Sequence, residues 1–170
     1  MAIVQRINPC LWFDDQAEQA VNFYLSVFDN SRILDTSRYG EAGQEVHGKA
    51  PGSLMTISFE LDGQRFTALN GGPLFKFNEA ISLQINCQNQ AEVDHYWERL
   101  GEGGDPAAQQ CGWLKDRYGL SWQVVPVALQ EMLQDPGSSR KEAVFTAVLQ
   151  MTKIDIATLQ RAWDNPRSAE

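Results

Sequence analysis

The chain has 170 residues, is 43% hydrophobic and 21% charged, and carries a formal net charge of −8. That composition suits one ordinary globular domain, or two small halves sharing a core. It contains no run of about 18 apolar residues that would span a membrane, and its Lys and Arg are scattered apart from Arg140-Lys141, which argues against a nucleic-acid or anionic-membrane surface. The opening MAIVQRINPC has no basic segment followed by an apolar one, so no secretory leader is expected. Cys10, Cys87 and Cys111 are an odd number without CxxC spacing, which argues against a disulfide framework or a zinc site and fits a reducing cytoplasm.

In chain order, INPCLWF alternates as a strand, with Leu11 and Phe13 on one face and Asn8, Cys10 and Trp12 on the other. DDQAEQAVNFYLSVFDN follows as a helix, with Asp14 or Asp15 as its cap and Ala17, Ala20, Val21, Tyr24 and Phe28 at helical spacing. RILDTSRY reads as a strand, and GEAGQEVHGKAPG as a long Gly-rich loop. LMTISFEL and QRFTALN, joined by Asp62-Gly63, read as a hairpin. NGGPLFKFNEA, residues 70–80, suits a linker.

The order then repeats. AISLQINC alternates, with Ile81, Leu83 and Ile85 opposite Ser82, Gln84 and Asn86. QNQAEVDHYWERLGEGG is a helix ended by glycine, and CGWLKDRYGLSWQVVP a second hairpin turning near Arg117-Tyr118-Gly119. An offset of 74 carries Gln16, Ala17 and Glu18 onto Gln90, Ala91 and Glu92, and Phe23 onto Trp97. An offset of 56 carries Gly63, Phe66 and Thr67 onto Gly119, Trp122 and Gln123. An internal βαβββ duplication is the preferred reading. After Pro126, VALQEMLQ, RKEAVFTAVLQ and DIATLQRAW read as helices, with a break at residues 135–139. Thr152-Lys153-Ile154-Asp155 has the form of a capping box ahead of the last.

Several residues admit two readings. His47, in the Gly-rich loop, is either a lid residue or substitute ligand, or a solvated loop histidine, and the solvated reading is favoured. His95 sits on a helix surface, and neither histidine has a Ser or Cys partner at a triad spacing. Glu60 alternates with Ser58 and Thr56 and is either a pocket base or an exposed strand-end carboxylate. Cys10 is either a nucleophile or, more commonly for such a thiol, a small buried hydrophobe. Trp12, Phe75, Phe77, Trp113 and Trp122 either stack a ligand or fill the core. Lys115-Asp116 reads as a surface charge pair, and GEGGD at 101–105 lacks the features of a phosphate loop.

The segments PCLWFDDQAEQAVNFYLSVF, NEAISLQINCQNQAEVDHYWERLGEGG, CGWLKDRYGLSWQVVP and AVLQMTKIDIATLQRAW resemble the PhnB-like, or 3-demethylubiquinone-9 3-methyltransferase, family of the vicinal oxygen chelate superfamily, which includes glyoxalase I, bleomycin-resistance proteins and extradiol dioxygenases. The resemblance runs from about residue 4 to residue 163. It implies an α+β fold of paired βαβββ modules (a glyoxalase/bleomycin resistance/dioxygenase-like fold) with C-terminal helices. The vicinal oxygen chelate domain would occupy residues 1–126, in modules of about 3–72 and 79–126, with a helical extension at 127–170. It also implies a pocket lined by the faces opposite the helices, with Asn8, Cys10, Trp12, Thr67, Ser82, Gln84, Ser121 and Gln123 as lining candidates.

Metal-using members of the superfamily bind one divalent ion through His, Gln or Glu on the first and last strands of each module. The resemblance places Asn8, Thr67 or Ala68, Ala80 and Gln123 at those positions. Ala cannot ligate, and two neutral amides do not compensate a divalent charge, so no metal and no other cofactor is expected. A methyltransferase would need a nucleotide-binding βαβ unit with a Gly-rich first turn, which nothing here matches, so the family's name is not expected to describe its chemistry.

The expected function is small-molecule binding in a polar pocket. The alternatives are a metal-dependent lyase, isomerase or dioxygenase drawing on residues such as His47 or Glu60, and a ligand-free structural or regulatory homodimer. A homodimer is expected from the apolar faces of the tail (Val144, Phe145, Val148, Leu149, Ile156, Leu159 and Trp163) and from the habits of the superfamily, with no nucleic-acid or membrane partner.

Overall fold

The computed structural model describes residues 4–137 and 139–166. Residue 3, at the expected start of the first module, Ser138 in the expected break, and residues 167–170 lie outside the described residues. The chain divides into two compact units, Met1–Phe77 and Asn78–Glu170, the boundary falling in NGGPLFKFNEA.

The first unit contains β1 (Cys10–Phe13), α1 (Ala17–Val27), β2 (Ser31–Arg38), the single turn α2 (Gln44–His47), β3 (Leu54–Leu61) and β4 (Gln64–Asn70). The sheet runs β1-β4-β3-β2, with β1 parallel to β4 and the other pairs antiparallel. Asp62 and Gly63 both take positive φ, 48° and 80°, as a tight hairpin turn requires. The helical spacing holds: Ala17, Ala20, Val21, Tyr24 and Val27 are buried on α1, which packs on β3 and β4. Opposite them Leu11, Phe13, Ile57, Phe59, Leu61, Phe66 and Ala68 form the buried face of the sheet. Each fully buried large side chain of this set contributes about 1.5–3 kcal/mol through removal from water.

The cap of α1 differs from expectation. Neither Asp14 nor Asp15 stands at the cap. The cap position is Gln16, without a side-chain bond, and the Ala17 amide donates instead to Asn70 Oδ1 at 2.8 Å. A residue from the end of β4 thus caps a helix 53 positions earlier. The Asn70 amide also donates to the Leu54 carbonyl at 3.3 Å, and the Tyr39 hydroxyl donates to the Asn70 carbonyl at 2.6 Å.

The second unit contains β5 (Ser82–Cys87), α3 (Gln90–Gly101), a 3-10 turn (Pro106–Ala108), β6 (Trp113–Lys115), β7 (Ser121–Pro126), α4 (Val127–Gln134), α5 (Ser139–Leu149) and α6 (Ile156–Asp164). The sheet order is β5-β7-β6, with β5 parallel to β7. This reproduces β1-β4-β3. Where a counterpart of β2 would run, GEGGDPAAQQ forms loop and 3-10 turn, because its glycines and proline offer neither β-branched side chains nor a full set of ladder donors. Gly104 lies against the β6 backbone so closely that a Cβ there would sit 2.1 Å from the Lys115 carbonyl oxygen.

The duplication holds in register for the parallel first and last strands and is shifted in the helices. Cys10↔Thr67 and Gln84↔Gln123 are register partners, so offsets of 74 and 56 hold together. On α3, however, Val93, Trp97 and Leu100 are buried while Ala91 is exposed, whereas on α1 Ala17, Val21 and Tyr24 are buried. The burial pattern therefore aligns the helices at an offset of 76, and the match of Gln16-Ala17-Glu18 to Gln90-Ala91-Glu92 does not reflect equivalent positions. Asn89 caps α3 by accepting from the Glu92 amide at 3.0 Å, and Glu92 accepts from the Gln88 amide at 2.7 Å, a reciprocal N-terminal cap.

The three tail helices form as expected and belong to the second unit. Leu129, Val144, Val148, Ile154 and Leu159 make one buried cluster, with Cys111, Met132 and Trp163 among the residues packed on it. Gln90 ties the tail to α3, donating to the Ile154 carbonyl at 3.1 Å and accepting from the Ile156 amide at 2.8 Å. The expected capping box at 152–155 is not formed: α6 begins at Ile156 and its first amide uses Gln90 instead. No helix among the described residues is long and apolar enough to cross a membrane.

Lys115-Asp116 is not a surface charge pair. Asp116 is 2% exposed and accepts from the amides of Tyr118 and Leu120 at 2.8 and 3.1 Å and from Trp122 Nε1 at 2.9 Å, while Lys115 pairs with Glu79. This buried carboxylate organises the β6–β7 turn, since its acceptor capacity satisfies donors that have no strand partner. Asp116→Ala is expected to destabilise the protein by about 3 kcal/mol or more, because it leaves buried donors unpaired. Equilibrium denaturation checks this; a loss under about 1 kcal/mol would contradict the assigned role.

Candidate functional site

Strand alternation leaves each sheet one face not covered by its helix. In the first unit that face carries Cys10 and Trp12 from β1, Thr67 and Leu69 from β4, and Thr56, Ser58 and Glu60 from β3, all exposed or half-buried. Ahead of β1, Asn8 donates from Nδ2 to Thr67 Oγ1 at 2.8 Å. Between Thr67 and Ala68, the structure selects Thr67 for this face, because Ala68 is fully buried on the helix side.

In the second unit the equivalent face carries Ser82, Gln84 and Asn86 from β5, Ser121, Gln123 and Val125 from β7, and Trp113 and Lys115 from β6. Gln123 donates from Nε2 to Ser82 Oγ at 2.9 Å. Gln84 donates to Asn86 Oδ1 at 3.0 Å, and Gln130 of α4 donates to the same atom at 2.7 Å.

The two units thus carry the same device in mirror chemistry. At the first-strand position stand Asn8 and Ser82, related by the offset of 74, and at the last-strand position stand Thr67 and Gln123, related by 56. Each pair is one amide donating to one hydroxyl. Ala80, expected at the third ligand position, precedes β5 in a turn, and the register gives that position to Ser82. These groups do not fit a divalent metal: both amides present N–H to hydroxyls, and none of the four residues is anionic or an imidazole. Among the described residues no three His, Cys, Asp or Glu side chains cluster in a way that would hold an ion.

The substitute ligands are engaged elsewhere. His47 Nδ1 accepts from the Lys49 amide at 2.9 Å, Nε2 lies 3.1 Å from the Ala42 carbonyl, and the ring packs at a tilt against Tyr39, with centroids 4.5 Å apart. The accepting Nδ1 makes Nε2 the protonated nitrogen, so the imidazole presents no unused lone pair. Glu60 lies between its register partners Arg32 and Arg65, at 3.1 and 3.3 Å from their Nε atoms. The Arg32 guanidinium, then Arg65, holds its carboxyl below the usual range, the opposite of what a general base near neutral pH needs. Cys10 is exposed as a residue, yet partial burial pushes its thiol above the ordinary value, and burial together with Glu92 pushes Cys87 up to about 12. Neither is an activated thiolate.

Trp12 is held by the linker. Its Nε1 donates to the Gly72 carbonyl at 2.9 Å, Phe75 meets it edge to face at 4.9 Å, and a Cβ on Gly71 would lie 2.3 Å from its ring. Phe77 likewise packs on Phe13, and Trp122 is buried on the helix side, so of the aromatics Trp113 remains half-buried beside Gln123 on the open face.

Sequence reasoning missed two arrangements. A cavity of about 230 Å³ opens at the start of α1, lined by Asp15, Glu18, Lys49, Ser53, Leu54 and Asn70. The other is the ion pair of Glu79 with Lys115, in which the ammonium holds the Glu79 carboxyl below the usual carboxylate range. Both join residues more than 30 positions apart in the chain, so no local pattern signals them.

The sequence profile of the 3-demethylubiquinone-9 3-methyltransferase family matches residues 5–125. The chain belongs to that family. It therefore also belongs to the vicinal oxygen chelate superfamily. A solved structure from Bacillus cereus, described as a putative 3-demethylubiquinone-9 3-methyltransferase, PhnB protein, is 35% identical; the match covers 72% of this chain and 99% of that one, with a TM-score of 0.60. Protein PA1353 from Pseudomonas aeruginosa shares the fold at 19% identity, 72% and 98% coverage and a TM-score of 0.56. No curated protein matches in sequence. The family match ends at β7, so the tail helices lie beyond it.

The paired carboxylate on the open face of the first unit makes a testable statement about pH. Because its folded value is depressed, the Glu60 contribution is present above the ordinary glutamate range and is lost as pH falls through the depressed value. Glu60→Gln should therefore lower the thermal midpoint slightly at neutral pH and flatten its fall on acidification. Melts of both proteins from neutral to strongly acid pH check this; equal slopes would rule out the contribution.

Proposed function

We propose that this member of the family is a small-molecule-binding protein whose ligand is held by polar groups on the open face of a sheet, with no divalent metal at the position its superfamily uses. The single observation that carries the reading is the pair of amide–hydroxyl bonds, Asn8 to Thr67 and Gln123 to Ser82, at equivalent strand positions. Such a pair leaves hydroxyl and carbonyl groups for a ligand at no cost in buried charge. Cys10, Trp12 and Gln84 are the further candidates for contact on the same faces. Residues 1–126 act as the binding domain in this reading, and 127–170 as its extension.

The family's name describes a methyl transfer, and the residues give that chemistry no support. The turns from strand to helix, FDDQA and CQNQ, contain no glycine, and neither helix joins two strands that pair in parallel. A nucleotide's phosphates have no Gly-rich turn to approach. A metal-dependent lyase, isomerase or dioxygenase would need His47 or Glu60, whose donor atoms are already engaged.

The protein acts as a cytoplasmic homodimer in this proposal, without nucleic-acid or membrane partners. Three free cysteines and the acidic charge support the first and last points. The dimer rests on a smaller apolar surface than the whole tail, since Val144, Val148 and Leu159 are buried in their own unit while Phe145 and Leu149 stay exposed.

Three measurements test the reading. Elemental analysis after gentle purification should find no stoichiometric Zn, Ni, Mn or Fe, and about one ion per chain would overturn the metal argument. Native mass spectrometry should detect a co-purifying small molecule, and Gln123→Leu should weaken its binding by about 1–3 kcal/mol with little change in stability. Light scattering should give twice the chain mass at micromolar concentration; a single-chain mass would remove the dimer.

A further inference from the structure

Ser121 Oγ stands out among the described residues as a buried side-chain oxygen with no hydrogen-bond partner. Ser121 is 1% exposed and is the first residue of β7, the central strand of the second sheet. Its register partners are Ser82 on β5 and Lys115 on β6, so the three side chains form one row across the open face. The next row is Gln84, Gln123 and Trp113. A buried hydroxyl without a partner is unusual in a folded protein and calls for an explanation.

One member of the row is held in an ion pair. Lys115 is paired with Glu79, which lies in the turn leading into β5. The ion pair therefore bridges the two outer strands across the start of β7, where Ser121 sits. The Glu79 side chain is 64% exposed and that of Lys115 is 27% exposed, so the carboxylate reaches in from solvent toward an ammonium rooted in the sheet. A pair of this kind is weakly held and is given up readily to a competing anion.

We infer that the Lys115–Ser121–Ser82 row is a subsite for an oxyanion of the ligand, a carboxylate or a phosphoryl group, and that Glu79 occupies it as an internal stand-in which the ligand displaces. Lys115 supplies the positive charge. Ser121 supplies a hydroxyl donor that no protein group uses. Ser82 accepts from Gln123, which leaves its own proton to donate. Gln123 is then a positioning residue, orienting Ser82 through the 2.9 Å bond. A second oxyanion oxygen reaching Ser121 would satisfy the orphaned group at the moment of binding, so binding uses a donor that folding leaves unpaired. This inference rests on the open face being the ligand face and adds the charge class of the ligand.

The test uses the full chain and the simplest probes: acetate, inorganic phosphate and neutral N-methylacetamide, titrated at constant ionic strength and followed by amide chemical shifts. Acetate or phosphate should perturb Lys115, Ser121 and Ser82, and N-methylacetamide should not. Glu79→Gln removes the internal competitor and should tighten the anion by about tenfold, while Ser121→Ala should weaken it by about tenfold and yet raise the thermal midpoint, since the orphaned hydroxyl is gone. Lys115→Met should abolish binding, and if that variant does not fold the other two decide. Tighter acetate assigns a carboxylate, and tighter phosphate a phosphoryl group. The inference is overturned if neither anion binds the parent or Glu79→Gln, or if Ser121→Ala raises the midpoint with unchanged anion affinity. If anions fail while Gln123→Leu still weakens the co-purifying molecule, the open-face reading stands and only the oxyanion subsite is withdrawn.

Discussion

The parallel pairing of first and last strands is the constraint on which both units depend. Cys10 opposite Thr67 and Gln84 opposite Gln123 set which residues of four strands share a face. Because side chains alternate with a period of two, a slip by one residue would carry Ala68 and Val124 to the open face and bury Thr67 and Gln123 under the helices. The helix side resists that slip. Leu11, Phe13 and Ala68 in the first unit, and Trp122, Val124 and Leu114 in the second, are buried where Ala20, Val21, Val93 and Trp97 also bury. The polar pairs of the open face are thus placed by apolar packing on the other side of each sheet.

Strand order then decides what chemistry the face can hold. Bringing β1 beside β4, and β5 beside β7, sets one amide and one hydroxyl together in each unit. Four neutral donors and acceptors can orient a polar ligand but cannot balance a divalent cation. The charges near these faces are already neutralised: Glu60 by two arginines and Lys115 by Glu79. Of these, the Glu79–Lys115 pair shares a row with an unsatisfied hydroxyl, which makes it more than a surface ornament.

The tail is bound into the second unit by a polar latch as well as by its apolar cluster. Gln90 closes the first turn of α6 with its side-chain carbonyl and holds the Ile154 carbonyl with its amide. Lys153 and Asp94 add an ion pair at 2.8 Å, in which the ammonium and then Gln90 hold the Asp94 carboxyl below its ordinary value. The family match ends before these helices, so the latch joins the α3 start, inside the matched region, to a segment outside it.

Period and turn chemistry made much of this protein legible from the chain alone. Alternation placed Leu11 and Phe13 opposite Cys10 and Trp12, Asp62-Gly63 marked the first hairpin, and the offset of 56 aligned Thr67 with Gln123, whereas the match of Asn8 to Ser82 rather than Ala80 came from the strand register. These features are local, fixed by backbone sterics and by which side chains avoid water. What only the tertiary structure decided involves partners distant in the chain: Asn70 capping α1, Gln90 capping α6, Asp116 taking the Trp122 indole, and Glu79 pairing with Lys115. The helix register belongs here too, since Ala91 repeats Ala17 in sequence but not in burial. An amide, a carboxylate or an ammonium has many possible partners, and a short-range pattern does not distinguish among them. Packing of the apolar faces chooses which polar groups meet, and it is this choice that turns Gln123 from one more glutamine in a strand into half of a hydrogen-bonded pair beside an orphaned serine.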